Sequence, residues 1–331
     1  MTSFPRGVTT PVPLGRRAAL GLATALLPLR ARAAVFPDRA VQIIVPYGPG
    51  GPNDIVARVA ADGAGRQWGQ PVVVENRPGG GGNVGVAAAL QRPADGYTLL
   101  FSGPGIVVNR WLYSRPGFDF ERDLVPVMKV ALMPLVLLVN PSLPVRSVAD
   151  LIALAKSRPG KLNVSSSGIG TVPHLTAEIF KAQAGIDIVH VPYRSDPQAT
   201  TAVAQGEADL FFGIPASLPL ARSGAVRAIA VTTTTRYAAE PDLPTIAESG
   251  LPGFGVEAWY GFFARSGTPA PVLQQIASDV AAGIRQGDLV GRLRQVGIEP
   301  DFEGPDRFAP FVREETVKWG EAVRASGAKA D

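Results

Sequence analysis

Two kinds of group in this sequence could act on a small molecule: backbone N–H groups of glycine-rich turns, and the few carboxylates, hydroxyls and imidazoles beside them. The first turn is Val45-Pro46-Tyr47-Gly48-Pro49-Gly50-Gly51-Pro52-Asn53-Asp54. It follows Ala40-Val41-Gln42-Ile43-Ile44-Val45, whose β-branched residues suit a buried strand. It precedes Ile55, Val56, Val59 and Ala60, which recur at helical spacing, with Asn53 or Asp54 expected as the N-cap. Strand, glycine turn and helix in that order aim unpaired N–H groups and the positive end of the helix dipole at one point, where an anion is stabilised. The turn reads as a cradle for something acidic. Asp54 has the chemistry of a general base, but a carboxylate at a helix start is usually a cap, and a cap is expected here.

A second glycine loop, Asn76-Arg77-Pro78-Gly79-Gly80-Gly81-Gly82-Asn83-Val84-Gly85, follows the strand-like Val72-Val73-Val74-Glu75. Gly80, Gly82 and Gly85 formally satisfy GxGxxG, but the acidic residue that a dinucleotide site needs at the end of the next strand is replaced by Phe101-Ser102-Gly103. A second anion-facing helix start is the better reading. The third turn, Ser165-Ser166-Ser167-Gly168-Ile169-Gly170-Thr171, precedes a helix-like run with His174 and Glu178. Its hydroxyls can cap that helix or donate to a carboxylate, and three such turns in one chain favour binding. Catalytic motifs are missing: no GxSxG elbow, Walker A sequence or HExxH is found, and His174 and His190 are too few for a histidine metal site. Both histidines are expected to be structural. Trp259 and Tyr260 belong either to a cleft wall or to a core. No cofactor is expected.

These turns need strands and helices to hold them, and the segments alternate accordingly. Strands are expected near 41–46, 71–75, 97–101, 135–139, 162–165, 187–191, 208–212, 226–231 and 258–263, with helices near 54–67, 83–91, 147–157, 172–184, 197–205 and 215–222. Such alternation predicts an α/β protein with two mostly parallel sheets. From Pro271 onward only helices are expected, near 271–285, 288–295 and 305–325. Two stretches read as crossings between lobes: the apolar run after Glu121, and the loop Tyr237 to Gly255. They divide the chain into lobe 1, residues 34–135 and 255–331, and lobe 2, residues 136–254, with a central ligand cleft between them.

Residues 1–33 read as an export signal. Arg16-Arg17 precede a short apolar run, Ala18 to Leu27, and Ala31-Arg32-Ala33 offers the small residues of a cleavage site. The arginine pair fits the twin-arginine route, although Gly15 and Ala19 stand where that route usually has Ser or Thr and Phe, and it equally fits general secretion. The expected location is the periplasm. The leader carries five of the 32 basic residues and no acidic one, so removing it leaves 27 basic against 28 acidic groups and changes the formal charge from +4 to −1. No net positive charge then remains to attract nucleic acid. The absence of cysteine excludes disulfide and thiol chemistry and a lipoprotein anchor.

Six collinear pieces carry a resemblance: Pro46 to Asp54, Glu75-Asn76-Arg77-Pro78-Gly79, Gly82-Asn83-Val84-Gly85, Asp95-Gly96-Tyr97-Thr98-Leu99, His190-Val191-Pro192-Tyr193-Arg194 and Leu243-Pro244-Thr245-Ile246-Ala247-Glu248. In this order they resemble the Bug family of periplasmic solute receptors, which serve tripartite tricarboxylate transporters. The resemblance implies a two-lobed periplasmic binding-protein fold of type II kind and no enzymatic activity. It implies a small organic carboxylate ligand held mainly by loop backbone, and membrane permease subunits as partners, dedicated, shared or absent. A monomer is expected. By this resemblance Tyr47, Gly50, Gly51 and Asn53 line one wall with Asn83, Ser102 and Gly103. Ser166, Ser167, Gly168 and Thr171 approach from the other lobe, with Tyr193 and Gly213 on that side. Asp54 is assigned to shaping the turn.

Three positions depart from the family pattern. Gly48 stands where Pro or Ala is common, Ser195-Asp196 where Gly and a small residue follow the Val-Pro-Tyr-Arg stretch, and Gly213 where an acidic residue is usual. A carboxylate at Asp196 repels a second acidic group, and Gly213 offers no partner to a ligand amine. The expected ligand thus has one anchored carboxylate and a distal part neither amino-acid-like nor strongly acidic. An exported α/β hydrolase or cofactor enzyme, or a sensor module presenting its bound form to a signalling partner, remain the alternatives.

Overall fold

Why the chain crosses between two sheets follows from where its βα units stop. The computed structural model describes residues 1–3, 7 and 36–330, so the leader features at Arg16-Arg17, 18–27 and 31–33 lie outside the described residues. β1 (Val41–Val45), α1 (Pro52–Trp68), β2 (Val72–Asn76), α2 (Asn83–Leu90), β3 (Thr98–Ser102), α3 (Pro104–Leu112), α4 (Phe120–Asp123) and β4 (Leu124–Pro134) come first. Then follow β5 (Val136–Val139), α5 (Val148–Ser157), β6 (Asn163–Ser166), α6 (Val172–Ala184), β7 (Val189–Pro192), α7 (Asp196–Gln205), β8 (Leu210–Gly213), α8 (Leu218–Arg222) and β9 (Arg227–Val231). The last elements are β10 (Glu257–Arg265), α9 (Ala270–Arg285), α10 (Leu289–Arg294), β11 (Glu299–Glu303) and α11 (Pro305–Ser326).

The larger sheet has the order β11-β4-β10-β3-β1-β2 and the smaller β7-β6-β8-β5-β9. Both are mixed, not mostly parallel. β1 runs parallel to β2 and β3, and β6 to β7 and β8, as right-handed βα units require. β10 is antiparallel to β3 and β4, and β5 to β8 and β9, because these strands lead into or out of a lobe and enter its sheet reversed.

The crossings lie side by side. Leu135 separates β4 from β5, and its N–H donates to Thr232 Oγ1 at 2.9 Å. Thr232 N–H returns to the Leu135 carbonyl at 2.9 Å, and Val256 N–H donates to the Thr232 carbonyl at 2.8 Å. Fully buried Thr232 thus ties outgoing and returning chain together at the waist.

Three elements depart from the expected pattern. The strand expected near 135–139 is β5, but the apolar run before it, 124–134, forms a separate strand, β4, in the other sheet. α3 was not expected at all, although Pro104 at its first turn is a helix-start signal. β11 interrupts the expected all-helical tail. Its Glu299-Pro300-Asp301-Phe302-Glu303 lacks apolar alternation because it is an edge strand, held by buried Lys129 of β4, whose Nζ lies 2.7 Å from Asp301 and 3.6 Å from Glu303. α9 packs on α1, and α11 lies against β4, α3 and α6. Buried Glu315 of α11 accepts the indole N–H groups of Trp259 at 2.9 Å and Trp319 at 2.6 Å, so its charge is compensated by donors rather than left bare.

Candidate functional site

The Tyr47 to Asp54 turn is held from behind by Asp54. The helix N-cap is Gly51 in extended conformation, not Asn53 or Asp54, because Pro52 already occupies the first helical position. Asp54 therefore sits at the third helical position and reaches back, accepting the Gly50 N–H at 2.9 Å, Arg58 Nε at 3.0 Å and Asn76 Nδ2 at 2.9 Å. Burial pushes its carboxyl up, but these three donors outweigh burial and hold it below the usual carboxylate range. Asn76 also donates to the Tyr47 carbonyl at 3.1 Å, so strand β2 fixes the turn's other end.

The second glycine loop and the start of α3 supply the rest of this wall. Asn109 Nδ2 of α3 donates to the Gly81 carbonyl at 3.0 Å and to Asn83 Oδ1 at 2.7 Å, pinning the loop whose Gly81 has φ +60°. A Cβ on Gly81 would fall 2.5 Å from the Tyr113 hydroxyl, and one on Gly105 2.4 Å from that of Tyr47. Ser102 Oγ donates to the Tyr47 hydroxyl at 3.4 Å. Burial raises the pKa of Tyr47.

The opposite wall is the Ser165 to Thr171 turn. Ser166 spends its hydroxyl inside the turn: it accepts the Gly168 N–H at 3.1 Å and meets His190 Nε2 at 2.6 Å. Thr171 Oγ1 donates to the Gly168 carbonyl at 2.7 Å, and the Gly170 N–H donates to His174 Nδ1 at 3.0 Å. His174 and His190 stack beneath the turn, and burial lowers the pKa of each to about 4, so both are neutral supports. Ser167 hydrogen-bonds Asp196 in the first turn of α7, whose carboxyl is pushed up by burial. The N-cap of α7 is Ser195, accepting the Gln198 N–H.

Between the walls lies a cavity of about 290 Å³. Asn53 at the start of α1, Gly103, Pro104 and Gly105 at the start of α3, and Thr171 and Val172 at the start of α6 bring three helix N-termini to it. Tyr47, Tyr113, Tyr260 and Leu112 close its sides, and among the described residues no charged side chain lines it. Such a cavity stabilises a small anion by backbone N–H groups and helix dipoles. Among the described residues, two buried side-chain atoms lack a hydrogen-bond partner, Asn53 Oδ1 and Asp196 Oδ1, one from each lobe. Burial is the main cause that raises the Tyr260 phenol well above its usual value, with smaller contributions from Asp196 and Tyr47. No group of three or more His, Asp or Glu among the described residues could hold a metal ion.

Of the residues singled out in the sequence, Tyr47, Asn53, Gly103 and Thr171 line this cavity. Asp54, Asn83, Ser102, Ser166, Ser167 and Gly168 stand directly behind it through the hydrogen bonds above. Gly50 lies on the far face of the first turn, in a groove of about 500 Å³ with Ile214, Tyr237 and Ile298, while Gly51 caps α1. The Tyr193 hydroxyl points along α7 toward Glu207 at 3.5 Å, and Gly213 pairs with Val136 at the end of β8. Sequence reasoning missed Gly81, Gly105, Asn109 and Tyr113. Strand alternation separates the aromatic pair: Trp259 packs into the core against Phe308 while Tyr260 faces the cavity.

Comparison with known proteins agrees with this geometry. A family model described as tripartite tricarboxylate transporter family receptor matches residues 56–328. Protein BugT of Bordetella pertussis is 35% identical over 312 residues, covering 93% of this chain and 95% of its own. The solved structure of R. palustris Rpa4515 with adipate is 36% identical, with a TM-score of 0.74, over 89% of this chain and 100% of that one. MatC from Rhodopseudomonas palustris with bound malate is 30% identical, with a TM-score of 0.70, over 87% and 100%. Two α/β lobes, a cavity built from loop backbone and these likenesses lead to one conclusion: the chain belongs to the tripartite tricarboxylate transporter receptor family, whose members are solute-binding receptors and not enzymes.

Proposed function

We propose that this receptor captures a small organic carboxylate in the cavity between its lobes, with the carboxylate held by the N-termini of α1, α3 and α6. The observation that carries the reading is the convergence of three helix N-termini on a cavity that, among the described residues, no charged side chain lines. Relatives solved with adipate and with malate support the same ligand class. Residues 34–135 and 255–331 form one lobe and 136–254 the other. They close about the waist at Leu135, Thr232 and Val256, where few bonds would need to change for a hinge rotation. The closed form is then presented to membrane permease subunits of a tripartite transporter.

The chain works in the periplasm as a monomer after residues 1–33 are removed. Native mass spectrometry of protein purified from the periplasm without refolding tests the reading. A retained carboxylate of low mass on a mature chain beginning at Ala34 is the expected result, and a thermal-shift screen of small acids should raise the melting temperature for the right ligand. Turnover of the retained molecule by the protein would overturn it.

A further inference from the structure

A helix leaves its last carbonyls without partners of its own, and the segment after α11 brings donors to two of those of α3. Lys329 Nζ donates to the Trp111 carbonyl at 3.2 Å, and the Ala330 N–H donates to the Leu112 carbonyl at 2.9 Å. The lysine charge complements the negative end of the α3 dipole, opposite the end that faces the solute in the reading above. Ala330 also lines the solute cavity, beside Leu112, Tyr113 and Ile169. It is exposed on its outer side, and Ile169 on the facing lobe is 54% exposed, so the cavity meets solvent between them. Gly327 turns the chain out of α11 with φ +64° and, among the described residues, nothing within 4 Å of where a Cβ would stand. Ala328 then packs into the core, its N–H donated to Ser326 Oγ at 3.1 Å.

The cavity follows α3 from Gly103, Pro104 and Gly105 at its start, past Asn109, to Leu112 and Tyr113 at its end, a span of about 12 Å along the helix axis. Resting on the carboxylate reading above, we infer that residues 328–330 form a strap across the outer end of this cavity, and that Ala330 is the stop that sets how long an acid the receptor accepts. An acid gripped at the α3 N-terminus runs its remainder toward Leu112. The strap stands in the way of any chain that would continue into solvent. Leu112, Ile169 and Ala330 offer that end apolar contact and no charge, so each methylene that fits behind the strap adds affinity and the first that does not fit loses it. A mere cap on α3 has a different signature: its loss lowers stability and leaves selection by length unchanged.

The test is calorimetric titration of the protein purified from the periplasm, freed of bound solute, with straight-chain mono- and dicarboxylic acids of three to ten carbons. The wild-type protein should show a chain length beyond which affinity falls about tenfold. A chain stopped after Ala328 keeps the packed alanine and loses the strap. Its limit should move outward by roughly two carbons, and it should bind the acids just beyond the wild-type limit about tenfold more tightly, as two more accommodated methylenes imply. Ala330→Pro, which deletes the N–H donated to Leu112, should move the limit in the same direction. Circular dichroism checks that both variants fold, and the proline variant carries the test if the shortened chain does not fold. A wild-type protein without a length limit, or a limit at the same length with and without the strap, overturns the inference and leaves the carboxylate reading standing. Binding of none of the acids by the wild-type protein overturns that reading and the inference with it.

Discussion

The imidazoles of His174 and His190 stack with centroids 3.9 Å apart and planes inclined by 21°, directly under the turn that forms one cavity wall. The Gly170 N–H donated to Nδ1 fixes His174 in the neutral form with its proton on Nε2, turned toward Glu178 at 4.0 Å. Burial is the main cause that lowers both rings from 6.5 to about 4, with Lys181 adding to it. Between those pH values the unfolded chain binds more protons than the folded one, so stability is full above about 6.5 and is lost as pH falls toward 4. Thermal unfolding should show the melting temperature dropping by roughly 5 °C over that interval, for a cost on the order of 2 kcal/mol. His190→Gln, which stays neutral, should flatten the drop; an unchanged slope would remove this pair as its cause.

Asp54 should matter for the shape of the turn more than for contact with solute. Asp54→Ala releases Gly50, Arg58 and Asn76 together, and a loss of about 2 kcal/mol in denaturant unfolding is expected. Affinity should fall with it. Asp54→Asn, which keeps an acceptor for Gly50, should recover more than half of both losses. Its stabilisation has the opposite origin to that of the histidines: with the folded pKa lowered, it is present above the ordinary carboxylate range and lost as pH falls below it.

Gly103 caps α3 and touches the strand that carries Tyr260. A Cβ there would fall 2.3 Å from the Trp259 carbonyl, and backbone cannot step aside as a side chain can. Gly103→Ala should destabilise the protein by about 1–3 kcal/mol. It should also weaken solute binding more than tenfold, because the α3 N-terminus moves from the cavity. Calorimetry on the folded variant below its melting temperature separates the two effects, and unchanged affinity would mean that α3 does not touch the ligand.

Ionic strength gives a further check. Surface ion pairs fade as the Debye length shortens to about 8 Å at physiological salt, but dipoles at contact inside a closed cavity do not. Affinity should therefore change by less than about twofold between low and physiological salt. A steep salt dependence would point to a lysine or arginine at the ligand, of which the cavity has none among the described residues.

Much of the frame was legible in the residue pattern because βα units write themselves into periodicity. The strand at 41–46 and the helices at 172–184 and 305–325 fall within a residue of β1, α6 and α11. What was hidden were features that depend on partners distant in sequence. β11 has no apolar alternation because its edge faces β4 through Lys129, and α3, which begins at Pro104 directly after β3, was not expected. The site divided the same way. Glycine turns marked where backbone would be offered to an anion, whereas Asn109 and Tyr113, which fix that backbone from 26 residues or more away, left no local mark. Asp196 was noticed as a departure, but its orphaned oxygen needed the fold.

A cavity whose anion pole is main chain has an evolutionary consequence. Only replacement by proline deletes an N–H group, so an anion anchored there is shielded from most point mutations. The opposite wall is free to drift. Selection can retune what such a receptor accepts at one end without rebuilding the grip at the other, and one scaffold can diversify into many receptors for acids that differ only in their far ends.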